Sequence, residues 1–282
     1  MRFITEKLTE DNNKKMNSPE RIKEPELLIS AVNADPETLL KKMKVQTDAV
    51  LVNQCGREGE KKLKLSSGCF TRVYERNEKG VGRSRNLALE KAQRPLVLFS
   101  DEDIVYTDGY ADKIKKAFEE ETADIIFFNV KVNEARRTYW TEKRKRVFAF
   151  NCGRYPAYAA AARLSSLRKA KVSFSLLFGG GAPYSNGEDS LFFTDCIRRG
   201  LKCVARPEVI GEEISRPSTW FTGYNEKFFF DRGVLYHFLY GSAAYIWALR
   251  FVYTKKKIMC NEITPGAALK LMKKGIEKGK SL

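Results

Sequence analysis

The chain has 282 residues, enough for one large α/β domain or two small ones. Lysine and arginine outnumber aspartate and glutamate 51 to 35, a net charge of +16 that implies an anionic partner: nucleic acid, a phospholipid surface or a phosphorylated substrate. A hydrophobic share of 43% excludes wholesale disorder, and neither a zinc-finger nor an RNA-recognition signature is present. The six cysteines form no C-x-x-C pair and follow no secretory h-region, which suits reduced thiols in a cytosolic protein. His237 is the only histidine, which argues against a His-rich metal site or a Ser-His-Asp triad.

Residues 1–25 are polar and charged and read as a loose N-terminal extension. The first strand is ELLISAV, 26–32, followed by a turn in which Asp35 caps a short helix (37–44) with Pro36 at its first position. DAVLVN, 48–53, is a second strand, and 71–74 a short third one. NEKGVGRSRN, 77–86, then leads into a helix over 87–93. Its Gly-x-Gly fails as a dinucleotide fingerprint, because Arg85 stands where a third glycine belongs. A basic helix entry at Gly80 could still receive a phosphate through backbone amides with Arg83 or Arg85; solvated arginines on a loop are the plainer account.

PLVLF, 95–99, is apolar on consecutive positions, as in a strand buried on both faces, and ends abruptly in Ser100-Asp101-Glu102-Asp103. Carboxylates at the carboxyl end of such a strand stand where open α/β sheets bind ligands. Asp101 and Asp103 share a side if the backbone stays extended, so together they could grip Mg2+ or Mn2+ with phosphate oxygens completing the shell; an acidic turn capping the strand is the alternative. A helix over 108–120, a strand over 123–130, a possible edge strand at 147–150 and an Ala-rich helix over 157–167 follow. After the apolar 174–178, a glycine-rich turn through Gly180 and Gly181 reaches Glu188-Asp189 at the start of a helix over 190–199. Carboxylates are favoured there by the helix dipole, so capping competes with catalysis as their role. A short strand covers 202–205, an aromatic loop holds Trp220, and 233–253 is one long apolar, aromatic segment closed by Lys255-Lys256-Lys257. Alternating strands and helices imply an α/β fold with a mostly parallel sheet and helices on both faces.

Four blocks taken in order, ELLISAVN, NEKGVGRSRN, SDED and GEDSLFF, resemble a family 2 glycosyltransferase of the GT-A type, in the style of bacterial capsule and surface-polysaccharide members. That resemblance implies a Rossmann-like GT-A domain over 26–223, with a nucleotide half to about 130 and an acceptor half beyond it, plus a C-terminal helical extension over 224–282. It implies that Asp103 ligates the metal, that Asp101 lies nearer the ribose or the metal's water shell, and that Glu102 stands beside them. Arg85 and Asn86 match the family's pair beside the nucleotide, and Ala31, Val32 and Asn33 match its nucleotide-contacting loop. Asp189 matches the catalytic base, with Glu188 next to it. The family's acidic stretch after the second strand is replaced here by Val52-Asn53-Gln54-Cys55-Gly56, where Asn53 could hydrogen-bond a uracil edge. Gly180 and Gly181 would let substrate approach the backbone on the acceptor side, and Trp220 could stack on a sugar ring or simply pack.

The expected function is metal-dependent, inverting transfer of a sugar from a nucleotide diphosphate, with a UDP-sugar favoured, to a saccharide or lipid-linked saccharide. A nucleotidyltransferase is the first rival, but the segment after its first strand, Ala31-Val32-Asn33-Ala34-Asp35, is not basic. A non-catalytic basic protein on membrane or nucleic acid is the second; it explains the charge but not the ordered motifs. Nucleic acid is not expected as partner. The expected location is the cytoplasm, with the 233–253 segment drawn to the inner face of an anionic membrane or packed on the domain.

Overall fold

The computed structural model describes residues 24–134, 137–214 and 223–282. Strands β1 (Glu26–Val32) and β2 (Ala49–Gln54) pair in parallel at the centre of one half of the sheet. Their apolar runs, Leu27 to Ile29 and Val50 to Val52, are buried on consecutive positions because both faces of the sheet are covered. Between them runs α1 (Pro36–Lys42), whose start is as expected: the Asp35 carboxylate accepts from the Thr38 amide at 3.0 Å, and Pro36 opens the helix. An additional strand, β3 (Gly59–Lys64), pairs antiparallel with β4 (Phe70–Arg76), which is longer than the sequence suggested. Charged GEKKLK hides that strand, since its side chains lie on an exposed edge.

Next come α2 (Val81–Lys91), β5 (Leu96–Asp101), β6 (Ile104–Tyr106), α3 (Tyr110–Glu120), β7 (Ile125–Lys131) and β8 (Lys145–Val147). Helix α2 starts six residues before the expected 87, so Arg83, Arg85 and Asn86 sit on the helix and not in a loop before it. The Ala-rich 157–167 stretch is not one helix. It is a 3-10 turn, a strand β9 (Ala160–Arg163) and then α4 (Leu164–Ala170). Strand β9 runs antiparallel between β5 and β7, pairing Ala161 with both Leu98 and Ile126. Alanine favours helix locally, but pairing with β5 on one side and β7 on the other overrides that preference.

Helix α5 (Glu188–Arg198) begins at the carboxylate pair itself, and β10 (Cys203–Glu213) runs well past the expected 205. The sheet order is β3-β4-β2-β1-β5-β9-β7-β10-β6, with β8 on β10; β1, β2, β4, β5, β7 and β10 run one way. The chain then forms α6 (Glu226–Tyr240), a short 3-10 turn, α7 (Ala244–Met259) and α8 (Pro265–Lys280). The expected single segment over 233–253 is therefore broken, at Gly241, whose φ of +53° ends α6. Helices α6 and α8 touch backbone to backbone at Gly233 and Gly275, where a Cβ would strike the Met272 and Phe230 carbonyls. The three helices enclose a second core containing Phe229, Val234, Leu235, Met272 and Ile276, which also takes in Phe178 and Leu191. Among the described residues no helix is long and apolar enough to cross a membrane.

Candidate active site

The carboxyl ends of β1, β2, β4 and β5 lie along one edge of the sheet, and the residues singled out in the sequence gather there. The chain does not stay extended through the acidic cluster. It turns at Glu102 and Asp103 between β5 and β6, so the alternation that put Asp101 and Asp103 on one side does not apply. Glu102 instead reaches across to β1, its Oε2 accepting from the Val32 amide at 2.9 Å.

Arg85 is the centre of the arrangement. Its guanidinium is 4% exposed and faces three carboxylates at once. Nη2 donates to Asp101 at 2.9 Å, while Nη1 donates to Asp189 at 2.6 Å and to Glu188 at 3.2 Å. The guanidinium carbon lies 5.3 Å from the centre of the Phe174 ring, itself stacked on Phe192, and Nε is buried without a partner. Burial works against this charge, but the surrounding carboxylates outweigh it and raise the Arg85 pKa. Asp189 is pushed up to about 7, first by burial and then by Glu188 and Asp101, against the pull of Arg85 and of the Ala157 amide. Its Oδ2 accepts from that amide at 2.9 Å, so both oxygens are oriented while each keeps a lone pair. With 22% of its side chain exposed, Asp189 can meet a substrate hydroxyl.

Several residues expected to touch the nucleotide act as braces. Asn53 is 1% exposed, and its carboxamide pairs with both backbone groups of Ala34, at 2.8 and 3.1 Å. That fixes the loop after Ala31, Val32 and Asn33, with Asn33 at a φ of +50°. Asn86 does the same for Phe174, at 2.7 and 2.9 Å. Arg83 is half exposed and pairs with Glu78 at 3.1 Å. The Gly80 amide donates to Gln54 Oε1 at 2.6 Å, a residue the sequence offered no reason to single out. The Val81 amide, first of α2, is taken by the Gly180 carbonyl at 3.0 Å, so this amide is not available to a phosphate. Gly180 and Gly181 approach Gly80 closely: a Cβ on Gly181, whose φ is +81°, would stand 3.1 Å from Gly80 Cα. The close backbone approach expected for substrate is thus used to lock one loop on another. Trp220 lies outside the described residues. A cavity of about 330 Å³ opens between β2, β4 and α2, lined by Val52, Arg76, Glu78, Arg83 and Ser84 among others.

The C-terminal helices hold the loop that leads into Glu188 and Asp189 from behind. Asp231 on α6 is 2% exposed and accepts from the Ser185 amide and hydroxyl, both at 2.8 Å, and from Lys227. Gly187, with φ +122°, lies where a Cβ would be 2.6 Å from Leu235. Asp231→Ala strips the partner from two Ser185 donors. It should cost about 1–3 kcal/mol of stability in urea unfolding. It should also lower turnover with little change in donor KM, whereas unchanged turnover would leave Asp231 a purely structural residue.

Among the described residues no three His, Cys, Asp or Glu side chains stand together as a metal cage. Magnesium-type sites are commonly completed by substrate phosphates on one or two carboxylates. Asp101 is taken by Arg85, so a metal ion at this turn would need donor phosphates to complete its shell.

Residues 56–172, from the loop before β3 to just past α4, match the family model described as Glycosyl transferase family 2. Over those residues the chain is similar to the family 2 glycosyl transferases. The glycosyltransferase match includes Arg85 and the Asp101–Asp103 cluster and stops short of Glu188 and Asp189. No curated protein matches the chain by sequence. Among solved structures, S. aureus TarS 1–349 in complex with UDP-GlcNAc is similar at 14% identity, covering 85% of this chain and 74% of that one with a TM-score of 0.59. The same fragment in complex with UDP, also at 14% identity and the same coverage, gives 0.57. S. aureus TarS itself gives 0.56 at 14% identity, over 84% of this chain and 44% of that one. At such identity these likenesses show a shared fold: a mixed α/β architecture with a C-terminal helical part.

Proposed function

We propose that the glycosyltransferase domain moves a sugar from a nucleotide diphosphate, a UDP-sugar by preference, to a hydroxyl of a saccharide or lipid-linked saccharide in surface-polysaccharide synthesis, with inversion. The observation that carries this reading is the meeting of three motifs: Arg85 on its helix, the strand-end Asp101, and the Glu188–Asp189 pair more than a hundred residues on. The S. aureus TarS structures in complex with UDP-GlcNAc and UDP support a nucleotide-sugar donor.

The donor lies along the carboxyl edge of the sheet, its nucleoside toward the Val32–Asn33 loop and the cavity beside α2. Asp189 removes the acceptor proton as its oxygen attacks, since a hydroxyl alone is a poor nucleophile. A base near neutrality suits that task better than an ordinary carboxylate. The anomeric carbon passes through an oxocarbenium-like state, and one base opposite the leaving group means single displacement. Arg85 keeps Asp189 aimed and keeps three neighbouring carboxylates from repelling one another. Asp103, with Asp101, would hold a Mg2+ or Mn2+ ion on the donor diphosphate, and that ion would supply positive charge to the departing phosphates.

A thermal-shift panel of nucleotide sugars with Mn2+ or Mg2+ tests the reading, because a ligand of the native state raises the melting point by mass action. Asp103→Asn should abolish turnover and the metal-dependent part of that shift while leaving the unliganded melting point in place. An Asp103→Asn chain that turns over normally removes the metal assignment.

A further inference from the structure

Helix α7 has two unlike sides. Ala244, Ala248 and Val252 are buried against the neighbouring helices. On the other side Ile246, Leu249 and Tyr253 are 72%, 57% and 71% exposed. Their spacing of three and four residues sets them in one stripe along the helix. Each residue turns the helix by about 100°, so Arg250 and Lys257 fall on one flank of that stripe and Lys256 on the other. All three cations are exposed, and α7 contains no aspartate or glutamate. Lys256 lies 4.8 Å over the Tyr253 ring. The helix is anchored from behind: Trp247 stacks on Tyr240 of α6, ring centres 4.8 Å apart. Helix α8, packed beside α7, adds exposed Lys270, Lys273, Lys274, Lys278 and Lys280. Its one carboxylate, Glu277, is engaged by the Tyr245 hydroxyl and Lys280.

We propose that this face of α7 lies in the plane of an anionic phospholipid surface, with Ile246, Leu249 and Tyr253 entering the headgroup–acyl boundary and Arg250, Lys256 and Lys257 meeting lipid phosphates. An apolar stripe between cations is what an interfacial helix needs: buried apolar area for adhesion and basic flanks for selectivity. A second copy of the chain is a poorer occupant, because a self-complementary contact would set these cations against each other without a carboxylate on the helix to relieve them. A nucleic acid would satisfy the cations and leave the apolar stripe unexplained. The surface goes beyond the transferase reading and does not depend on it, since lipid binding requires neither donor nor acceptor.

The test uses the full chain with vesicles of phosphatidylcholine alone and of phosphatidylcholine mixed with phosphatidylglycerol, floated at low and high salt. The intact chain should bind the anionic vesicles, and high salt should weaken that binding by screening. Changing Ile246→Ser, Leu249→Ser and Tyr253→Ser together should weaken partition about 100-fold, from the apolar area withheld. Changing Arg250, Lys256 and Lys257 to Gln should weaken binding to anionic vesicles by a similar factor of about 100 and leave neutral vesicles unaffected. All six positions are exposed, so circular dichroism and the melting point should be those of the intact chain. Serine variants that bind as the intact chain does, or an intact chain that binds neither vesicle, would overturn the proposal. So would sedimentation showing an oligomer that the serine changes dissociate, which would assign the face to a second copy.

Discussion

Arg85→Ala is expected to be the most damaging single change in the domain. It leaves Asp101, Glu188 and Asp189 facing one another at a largely buried point with no opposing charge. Removing one partner from a buried ionic group typically costs about 3–5 kcal/mol, because the remaining charges stay desolvated and unpaired. Urea unfolding should register that loss, and no transferase activity should remain. Arg85→Lys keeps the charge but not the planar fork, so it cannot serve Asp101 through one nitrogen and the Glu188–Asp189 pair through another. It should recover much of the stability and little of the turnover. If Arg85→Ala unfolded at the same urea concentration as the native chain, the guanidinium would not be the counter-charge it is taken to be.

Asp189→Asn should reduce turnover by about 10²–10⁴-fold, the usual contribution of a positioned general base. Asparagine has one acceptor oxygen, so it can serve Arg85 or the Ala157 amide but not both, and its NH2 then faces the other donor; donor binding should persist while the melting point falls somewhat. Loss of donor binding would favour a structural role instead. Wild-type pH dependence follows from the same group. Asp189 is pushed up to about 7, mainly by burial, and only its ionised form can take a proton. Activity should therefore be small in acid, rise with pH and level off above about 7. In Arg85→Lys the opposing cation is less well placed, so the bend should move to higher pH. A profile flat from weakly acidic pH through neutrality would contradict the assignment of the base.

Much of this arrangement is written locally. The buried runs of β1, β2 and β5, the Asp35 cap with Pro36, and the carboxylates at strand and helix ends are short-range patterns whose physics does not depend on distant residues. What escaped the sequence was set by partners far along the chain. Ala160–Ala162 form a strand because β5 and β7 stand either side, not because alanine prefers one. Asn53 and Asn86 have the chemistry to bind a nucleotide, and only the fold shows each spent on the backbone of one remote residue. Arg85 looked like a phosphate ligand in a basic loop; its place on α2 turns it inward to carboxylates 16, 103 and 104 residues away. Asp231 carried little signal, since an aspartate in an aromatic helix reads as ordinary until its burial against Ser185 is seen. A Lys/Asp pair four apart, Lys227 and Asp231, was the one local hint.

The central claim is that the Arg85-centred site cleaves a nucleotide sugar between the anomeric carbon and the diphosphate. The direct measurement is the phosphate-bearing product formed when the purified chain is incubated with a UDP-sugar, divalent metal and a saccharide acceptor, with Asp189→Asn run alongside. The account predicts the nucleoside diphosphate, UDP, formed by the native chain and greatly diminished in Asp189→Asn. Pyrophosphate or nucleoside monophosphate as the product, or UDP released equally by Asp189→Asn, would contradict it.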